Sequence, residues 1–505
     1  MTTDELIQKQ AATIKAQEEQ ITSLKSQLDW LNRQLFGSRS EQRLIDHARQ
    51  GDLFAQMNIE TPPPVVEKTE TITYTRKPKS FDNAVNEAGL RFSDKVPVKT
   101  IHVTNPEIDA IPEDQREALS EKVVHRLAQR PVSYVVIKYV MPVVKDKATQ
   151  TIINTQAPNN VLEKSVADVS FLAGMLVDKF QFHLPLNRQH QRLDAAGIEL
   201  SRSTLLNLSK KAIALLEPIV DAQWQSILMS KTLAMDETPL KAGRKEKGKM
   251  RQAYLWPVFG ENQEIVFHYT ANRNHSLVAE LLKGFEGTLL SDGYQAYSAF
   301  AKANEGVTHA ECWAHTRRHF ERACDADPKA QEALDIIAAL YRHESIIREK
   351  NLSPEKTRTY RSTHSEPVVN AFFTWCEQQC YRNDLLPSNP LTKALKYARE
   401  RITALKVFLG DPNVAIDTNH LERQIRPVAM GKRNWLFNWT ELGAKHVGII
   451  QSLLTTCKLH AINPYGYLVD VLQRVAIHPA KDIEQLTPRL WKENFADKPL
   501  RSDID

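Results

Sequence analysis

The chain has 505 residues, too many for one hydrophobic core, and its 66 basic against 61 acidic residues leave a net charge of +5 that neither requires nor excludes nucleic acid. Glycine is scarce, 17 residues where ~7% is usual, which favours helix, and five cysteines, all from Cys312 onward, suit a reducing cytosol rather than a disulfide framework. No apolar run of 18 residues and no signal-like N-terminus occur, so neither secretion nor a membrane partner is expected.

Residues 1–36 carry a heptad, with Ile7, Ile14, Ile21, Leu28 and Leu35 seven apart and Leu24 and Leu31 at d positions. Gln10 and Gln17 weaken the first half of the seam. The pattern predicts a coiled-coil oligomerisation helix; a lone amphipathic helix on its own chain gives the same spacing. Residues 37–95, interrupted by Pro62-Pro-Pro64, read as linker. Residues 96–145 alternate like strands, as in Pro131–Val140, and predict a small β module. Residues 146–228 read as a helical DNA-binding domain. Leu186–Ala196, a Gly197 turn and a Ser201-capped helix have the order of a helix-turn-helix, with Arg202, Asn207, Lys210 and Lys211 available to phosphates or bases. Any αα-hairpin gives the same order.

Residues 229–325 read β-β-β-α-β-α-β-α. Strands are predicted at Thr232–Met235, Ala253–Phe259, Glu264–Tyr269, Thr288–Ser291 and Val307–Cys312, and helices at Ser276–Gly284, Tyr294–Lys302 and Thr316–Ala323. Residues 326–412 read as an all-helical insertion, 413–475 as helical completion of the core, and 476–505 as a polar C-terminal tail.

Three acids stand out along this order. Asp236 ends the run Leu233-Ala-Met-Asp236, Asp292 ends Thr288-Leu-Leu-Ser-Asp292, and Glu422 lies on a later helix. Strand alternation puts Ala234 and Asp236 on one face, while Glu237 points away or lies in the exit turn before Pro239. Asp292 would come beside Asp236 on a neighbouring strand. Two strand-end aspartates and a helical glutamate form the layout by which an RNase H-like sheet gathers carboxylates for two divalent metals. Mg²⁺ suits such hard oxygen donors. The bland alternative for Glu422 is an i,i+4 pair with Arg426.

Cations crowd two places. Lys241, Arg244, Lys245, Lys247, Lys249 and Arg251 surround a single acid, Glu246, as a DNA guide or a solvated hairpin tip. Gly243–Met250 nearly spells a P-loop, but Met250 replaces the metal-binding hydroxyl and no apolar strand leads in, so nucleotide binding is rejected. Asn419, Arg423, Arg426, Lys432, Arg433 and Trp435 gather round Glu422 as a rim able to touch phosphates, with Trp435 free to stack on a base. Cys312-Trp-Ala-His315 precedes Arg317, Arg318 and Arg322; a buried structural Cys312 and a hydrogen-bonding His315 are read here, with the arginines on DNA or acids. Cys376 and Cys380, four apart, read as helix core.

Met235-Asp-Glu-Thr-Pro239, Ser291-Asp-Gly-Tyr-Gln-Ala-Tyr297, Cys312-Trp-Ala-His-Thr-Arg-Arg318, Asn419-His-Leu-Glu-Arg-Gln-Ile-Arg-Pro427 and Gly431-Lys-Arg-Asn-Trp-Leu-Phe437 together resemble the transposases of the insertion sequence 66 family. The resemblance covers nearly the whole chain. It implies a multidomain α/β protein with an RNase H-like catalytic core and a helical insertion between the second Asp and the Glu. It also implies a DDE transposase of a bacterial insertion sequence, with Asp236, Asp292 and Glu422 as the catalytic, metal-binding acids. Many relatives carry a cysteine-paired zinc ribbon, whereas residues 96–145 contain no cysteine, so zinc is not expected there. The reading that follows is metal-dependent cleavage and strand transfer at terminal inverted repeats, with two Mg²⁺ or Mn²⁺ ions. Its expected partners are double-stranded DNA, further copies of the chain and small accessory proteins, in a cytoplasmic, nucleoid-associated setting. An RNase H-like nuclease or resolvase, and a catalytically silent DNA-binding regulator, are the competing readings.

Overall fold

The computed structural model describes residues 90–504 apart from 131–132, 247–248, 436–437 and 439. The expected coiled coil and nearly all of the expected linker lie outside the described residues. What is described is mixed α/β and divides into two units. The smaller holds Thr316–Ala339 and Asn370–Glu400; the larger draws its residues from 81–315, 340–369 and 401–505.

The smaller unit is helical. Phe320 meets the edges of Phe372 and Trp375 at ring separations of 5.5 and 6.0 Å, and the Trp375 indole donates to Glu332 at 2.7 Å. Asp327 is buried and paired with Arg382 at 2.8 Å. Cys376 is core here, but Cys380, one turn on, is exposed, so only one of the pair packs as expected.

In the larger unit the chain enters through β1 (Arg91–Phe92), which pairs with β6 (Ile198–Glu199). Leu90 and Phe92, within the stretch expected to be linker, are buried. A four-stranded sheet follows, from β2 (Val98–His102), β3 (Arg116–Arg130), β4 (Ser133–Asp146) and β5 (Ile152–Asn154), in the order β2-β4-β3 with β5 on β4. Helices fill Val169–Phe180, Leu186–Ala195, Arg202–Leu215 and Glu217–Leu228. Ser201 caps the third by accepting the Thr204 amide at 3.0 Å. The connection before it is no bare turn, because β6 pairs within it.

The tail is not simply polar. Leu486 and Trp491 are buried, and Ile504 joins Ala128, Ile137 and Tyr139 in the core of the four-stranded sheet. The Tyr139 hydroxyl donates to Asp503 and the Ser502 hydroxyl to Asp168. Single apolar residues spaced among charges gave no periodicity from which to read this.

The second sheet has six strands: β7 (Thr232–Met235), β8 (Thr238–Glu246), β9 (Lys249–Phe259), β10 (Ile265–Thr270), β11 (Gly287–Ser291) and β12 (Val307–Glu311). Its order is β10-β9-β7-β11-β12, antiparallel across the first three and parallel from β7 to β12. The strand β8 was not anticipated. It runs along β9 in the register that β7 begins (Met235 opposite Val258, Thr238 opposite Leu255), so β7 and β8 are one strand interrupted at Asp236 and Glu237. The interruption has a cause. Asp236 falls opposite Pro257, whose carbonyl accepts the Asp236 amide at 3.3 Å but which has no N–H to return. The near-P-loop stretch is thus a β-hairpin, with Gly243 at φ +71° in a bulge where the ladder shifts. The helix Glu441–Leu459 covers β10: Ser452 Oγ accepts the Phe267 amide at 2.9 Å, and a Cβ on Gly448 would lie 2.3 Å from the Phe267 carbonyl oxygen. Only glycine permits that approach.

Candidate metal centre

Parallel pairing sets the geometry. Leu290 lies opposite Ala234, and carrying that register two residues on puts Asp292 opposite Asp236, at the carboxyl ends of β11 and β7. Carboxyl ends of parallel strands are where such sheets collect functional groups. Oxygens of Asp236, Asp292 and Glu237 all lie within 4.8 Å of one another. Glu237 had been expected to point away or sit in an exit turn. With the ladder broken at Pro257, strict alternation no longer holds, and its carboxylate joins the cluster. The Glu237 amide donates to Asp236 Oδ1 at 2.7 Å, and the Tyr294 amide to Asp292 Oδ1 at 3.0 Å.

The electrostatics are those of crowded acids. Burial pushes the Asp236 carboxyl up to about 7, with the charges of Asp292, Glu237 and Glu422 adding to it and the Glu237 amide opposing. Glu422 stands outside the group whose oxygens lie within 4.8 Å of one another, and its charge acts on Asp236 from farther off. Burial also raises Glu237, against the Tyr297 hydroxyl, which donates to it at 2.8 Å, and Arg273, which is ion-paired with it. The Arg273 guanidinium lies 3.8 Å over the Tyr294 ring, and the Tyr294 hydroxyl donates to the Arg273 carbonyl at 3.2 Å.

Glu422 belongs to the helix Asn419–Trp435, which the Cys-x-x-His element holds. Thr418 donates its amide and its hydroxyl to Cys312 Sγ, each at 3.3 Å, and its carbonyl accepts the Glu422 amide at 2.9 Å. His315 Nε2 lies 3.8 Å from Glu422 Oε1. Burial pushes the Cys312 thiol up to about 11. Cys312 is thus a neutral acceptor that fixes the entry to the Glu422 helix. A further support escaped sequence reasoning. Arg401 pairs with buried Glu311 at 2.9 Å and donates to the Gly293 carbonyl at 3.2 Å, pinning the turn just after Asp292. Arg401 lies 108 residues from Gly293 and carries no local signal.

Residues 164–446 match the family described as Transposase IS66 family, and residues 452–489 match the IS66 C-terminal element. The chain belongs to the IS66 family of transposases. Three proteins of Sinorhizobium fredii, each described as uncharacterized, are similar to it. The first, y4hP, is 29% identical over 399 residues, 75% of this chain and 72% of its own. The second, y4qI, is 28% identical over 499 residues, 95% and 91% of the two chains. The third, y4jD, is 28% identical over 358 residues, 68% and 69% of the two chains.

The cations of this IS66 transposase differ in exposure. Arg202, Lys211, Arg244, Lys245, Arg426 and Arg433 are exposed, and Lys210 is half-buried. Arg317 and Arg318 belong to the smaller unit, Arg317 paired with Glu321 at 2.8 Å. Two residues expected to face DNA are half-buried and have partners within the chain. Lys432 donates to Thr238 Oγ1 at 3.1 Å and to the Pro239 carbonyl. Trp435 packs against Phe180 and His183 at ring separations of 5.5 and 6.0 Å. Both follow from the helix lying across β8: Asn438 pairs with Ala242 and locks that end of the helix to the hairpin. On another face of the helix, Asn419 and Arg423 line a cleft of 1230 Å³ with Lys231, Arg348 and Asn413. Among the described residues, no helix is long and apolar enough to cross a membrane.

Proposed function

We propose that this transposase is a DDE enzyme whose Asp236, Asp292 and Glu422 hold divalent metal in an RNase H-like core, and that it cleaves DNA at terminal inverted repeats and joins the freed end to target DNA. The observation that carries the reading is the in-register placement of Asp236 and Asp292 at adjacent parallel strand ends, with Glu422 near enough to act on Asp236. The sheet order, antiparallel then parallel with the first acid on the central strand, supports the core assignment. The donor set is all carboxylate oxygen, which fits Mg²⁺ or Mn²⁺ better than zinc. Two such ions would stabilise the attacking and leaving oxygens of a phosphodiester displacement. The chain's own part is to gather the acids, hold them through Cys312, His315 and Arg401, and keep a proton on Asp236 below about pH 7 when metal is absent. The exposed Arg202, Lys211, Arg244, Lys245, Arg426 and Arg433 are the proposed phosphate contacts, with Arg317 and Arg318 in the smaller unit. Self-association through residues 1–36 completes the reading.

The test is a pair of assays on one set of variants. Asp236→Asn, Asp292→Asn and Glu422→Gln should each abolish cleavage and joining in Mg²⁺ on the element's own end sequences, with end binding retained by gel shift. Glu441→Gln, whose carboxylate pairs with Arg251 at 3.7 Å, is the active control. Joining by Glu422→Gln would remove the third acid from the reading. Cleavage without joining would favour a nuclease or resolvase, and binding alone by the unsubstituted chain would favour a regulator.

A further inference from the structure

The acid cluster already holds a cation, and it belongs to the chain. Arg273 lies in the exposed segment 271–275 between β10 and the helix Ser276–Leu281. Its side chain is 37% exposed, yet its guanidinium pairs with a Glu237 side chain that is only 7% exposed. Tyr294 supports it from below, itself stacked on His275 at a ring separation of 5.3 Å. Charge explains why a cation is needed. Asp236, Glu237, Asp292 and Glu422 carry a formal −4, which two divalent ions would balance and which the metal-free protein must offset by protonation or by its own cations. We propose that Arg273 is an internal counter-ion of the metal centre, displaced from Glu237 when that carboxylate turns to a divalent ion. This rests on the metal-centre reading and adds Glu237 to it. The displaced guanidinium stays at the rim on a solvent-facing segment, free to meet a DNA phosphate by a charge-assisted bond. The tethered cation also sets a threshold: metal has to compete with a guanidinium at contact distance from its own ligand.

Mn²⁺ titration of the full chain, by calorimetry and by loss of the free-ion paramagnetic resonance signal, tests this without turnover. Arg273→Gln should bind Mn²⁺ roughly tenfold more tightly than the unsubstituted chain, as expected when an opposite charge beside a carboxylate is removed. Arg273→Lys, which keeps the charge but loses the planar fork and much of the stacking, should fall between them. Its charge is conserved on an exposed segment, so it provides the test even if the Gln variant folds poorly. Asp292→Asn should abolish tight binding in all backgrounds. Equal or weaker Mn²⁺ binding by folded Arg273→Gln or Arg273→Lys overturns the counter-ion role and leaves the metal centre standing. An absence of Asp292-dependent Mn²⁺ binding in every variant overturns both.

Discussion

Asp470 and Asp236 are both shielded carboxylates of the larger unit, and their surroundings are opposite in kind. Asp470 is fully buried and accepts from Arg474 at 2.8 Å, from the Leu500 amide at 2.7 Å and from the Trp491 indole. Glu344 is treated likewise. Arg361 grips it with a two-pronged fork at 2.9 and 2.8 Å, and its Nη1 donates to the carbonyls of Phe408, Asp411 and Val414. Asp236 instead faces three other acids and receives one amide from its neighbour. Buried charge with matched partners builds a fold; acids crowded against their own sign mark a candidate functional site.

The largest effect expected from that contrast is on stability, and it lies far from the chemistry. Arg361→Met strands Glu344 and should cost about 3–5 kcal/mol, the usual penalty for breaking a buried pair. Denaturant unfolding should show it, and adding Glu344→Leu should recover part of the loss. Recovery of none would mean that Arg361 matters through the three carbonyls alone.

A smaller and oppositely signed effect belongs to Asp236. Its folded-state pKa, about 7, stands above the ordinary aspartate value of 3.8, so the folded state holds the proton more tightly than the unfolded chain. The stabilisation this gives is complete below about pH 4 and is lost as pH rises through about 7. Metal-free Asp236→Asn, which has no proton to lose there, should gain on the unsubstituted chain between those values and run parallel above them. Glu311, pushed up to about 8 by burial, titrates in both proteins and cancels from the difference between the two curves, which reports Asp236 together with the acids coupled to it. A difference that does not change with pH would sink the assignment.

The smallest effect is at the hairpin. Arg244→Ala and Lys245→Ala should each lower the slope of log affinity for DNA against log salt by about 1 and leave the thermal midpoint unmoved. An unchanged slope would place the DNA elsewhere.

What the sequence disclosed follows the same division. Asp236 and Asp292 were legible because each ends a short apolar strand, and parallel neighbours place such ends side by side. Five of the six core strands, all but β8, were legible from the same alternation. Glu237 was not, because its direction depends on a proline twenty residues away. The partners of Lys432 and Trp435 within the chain were not legible, since a cationic, aromatic helix end reads alike whether it faces phosphate or packs on a hairpin. The burial of Ile504 depends on contacts with residues more than 360 positions earlier, which no local pattern carries.

Pro257 supplies no oxygen to the cluster, yet it fixes how many oxygens gather there. By withholding one hydrogen bond it leaves Asp236 half-paired and lets the next residue swing to the same side of the sheet. Pro257→Val would return the missing donor, close the pleat across positions 236 and 237, and send Glu237 to the opposite face. The expected result is a site of three acids in place of four, with weaker Mn²⁺ binding and no carboxylate altered. The capacity of the centre is in that sense a backbone property, set by an atom the ladder lacks.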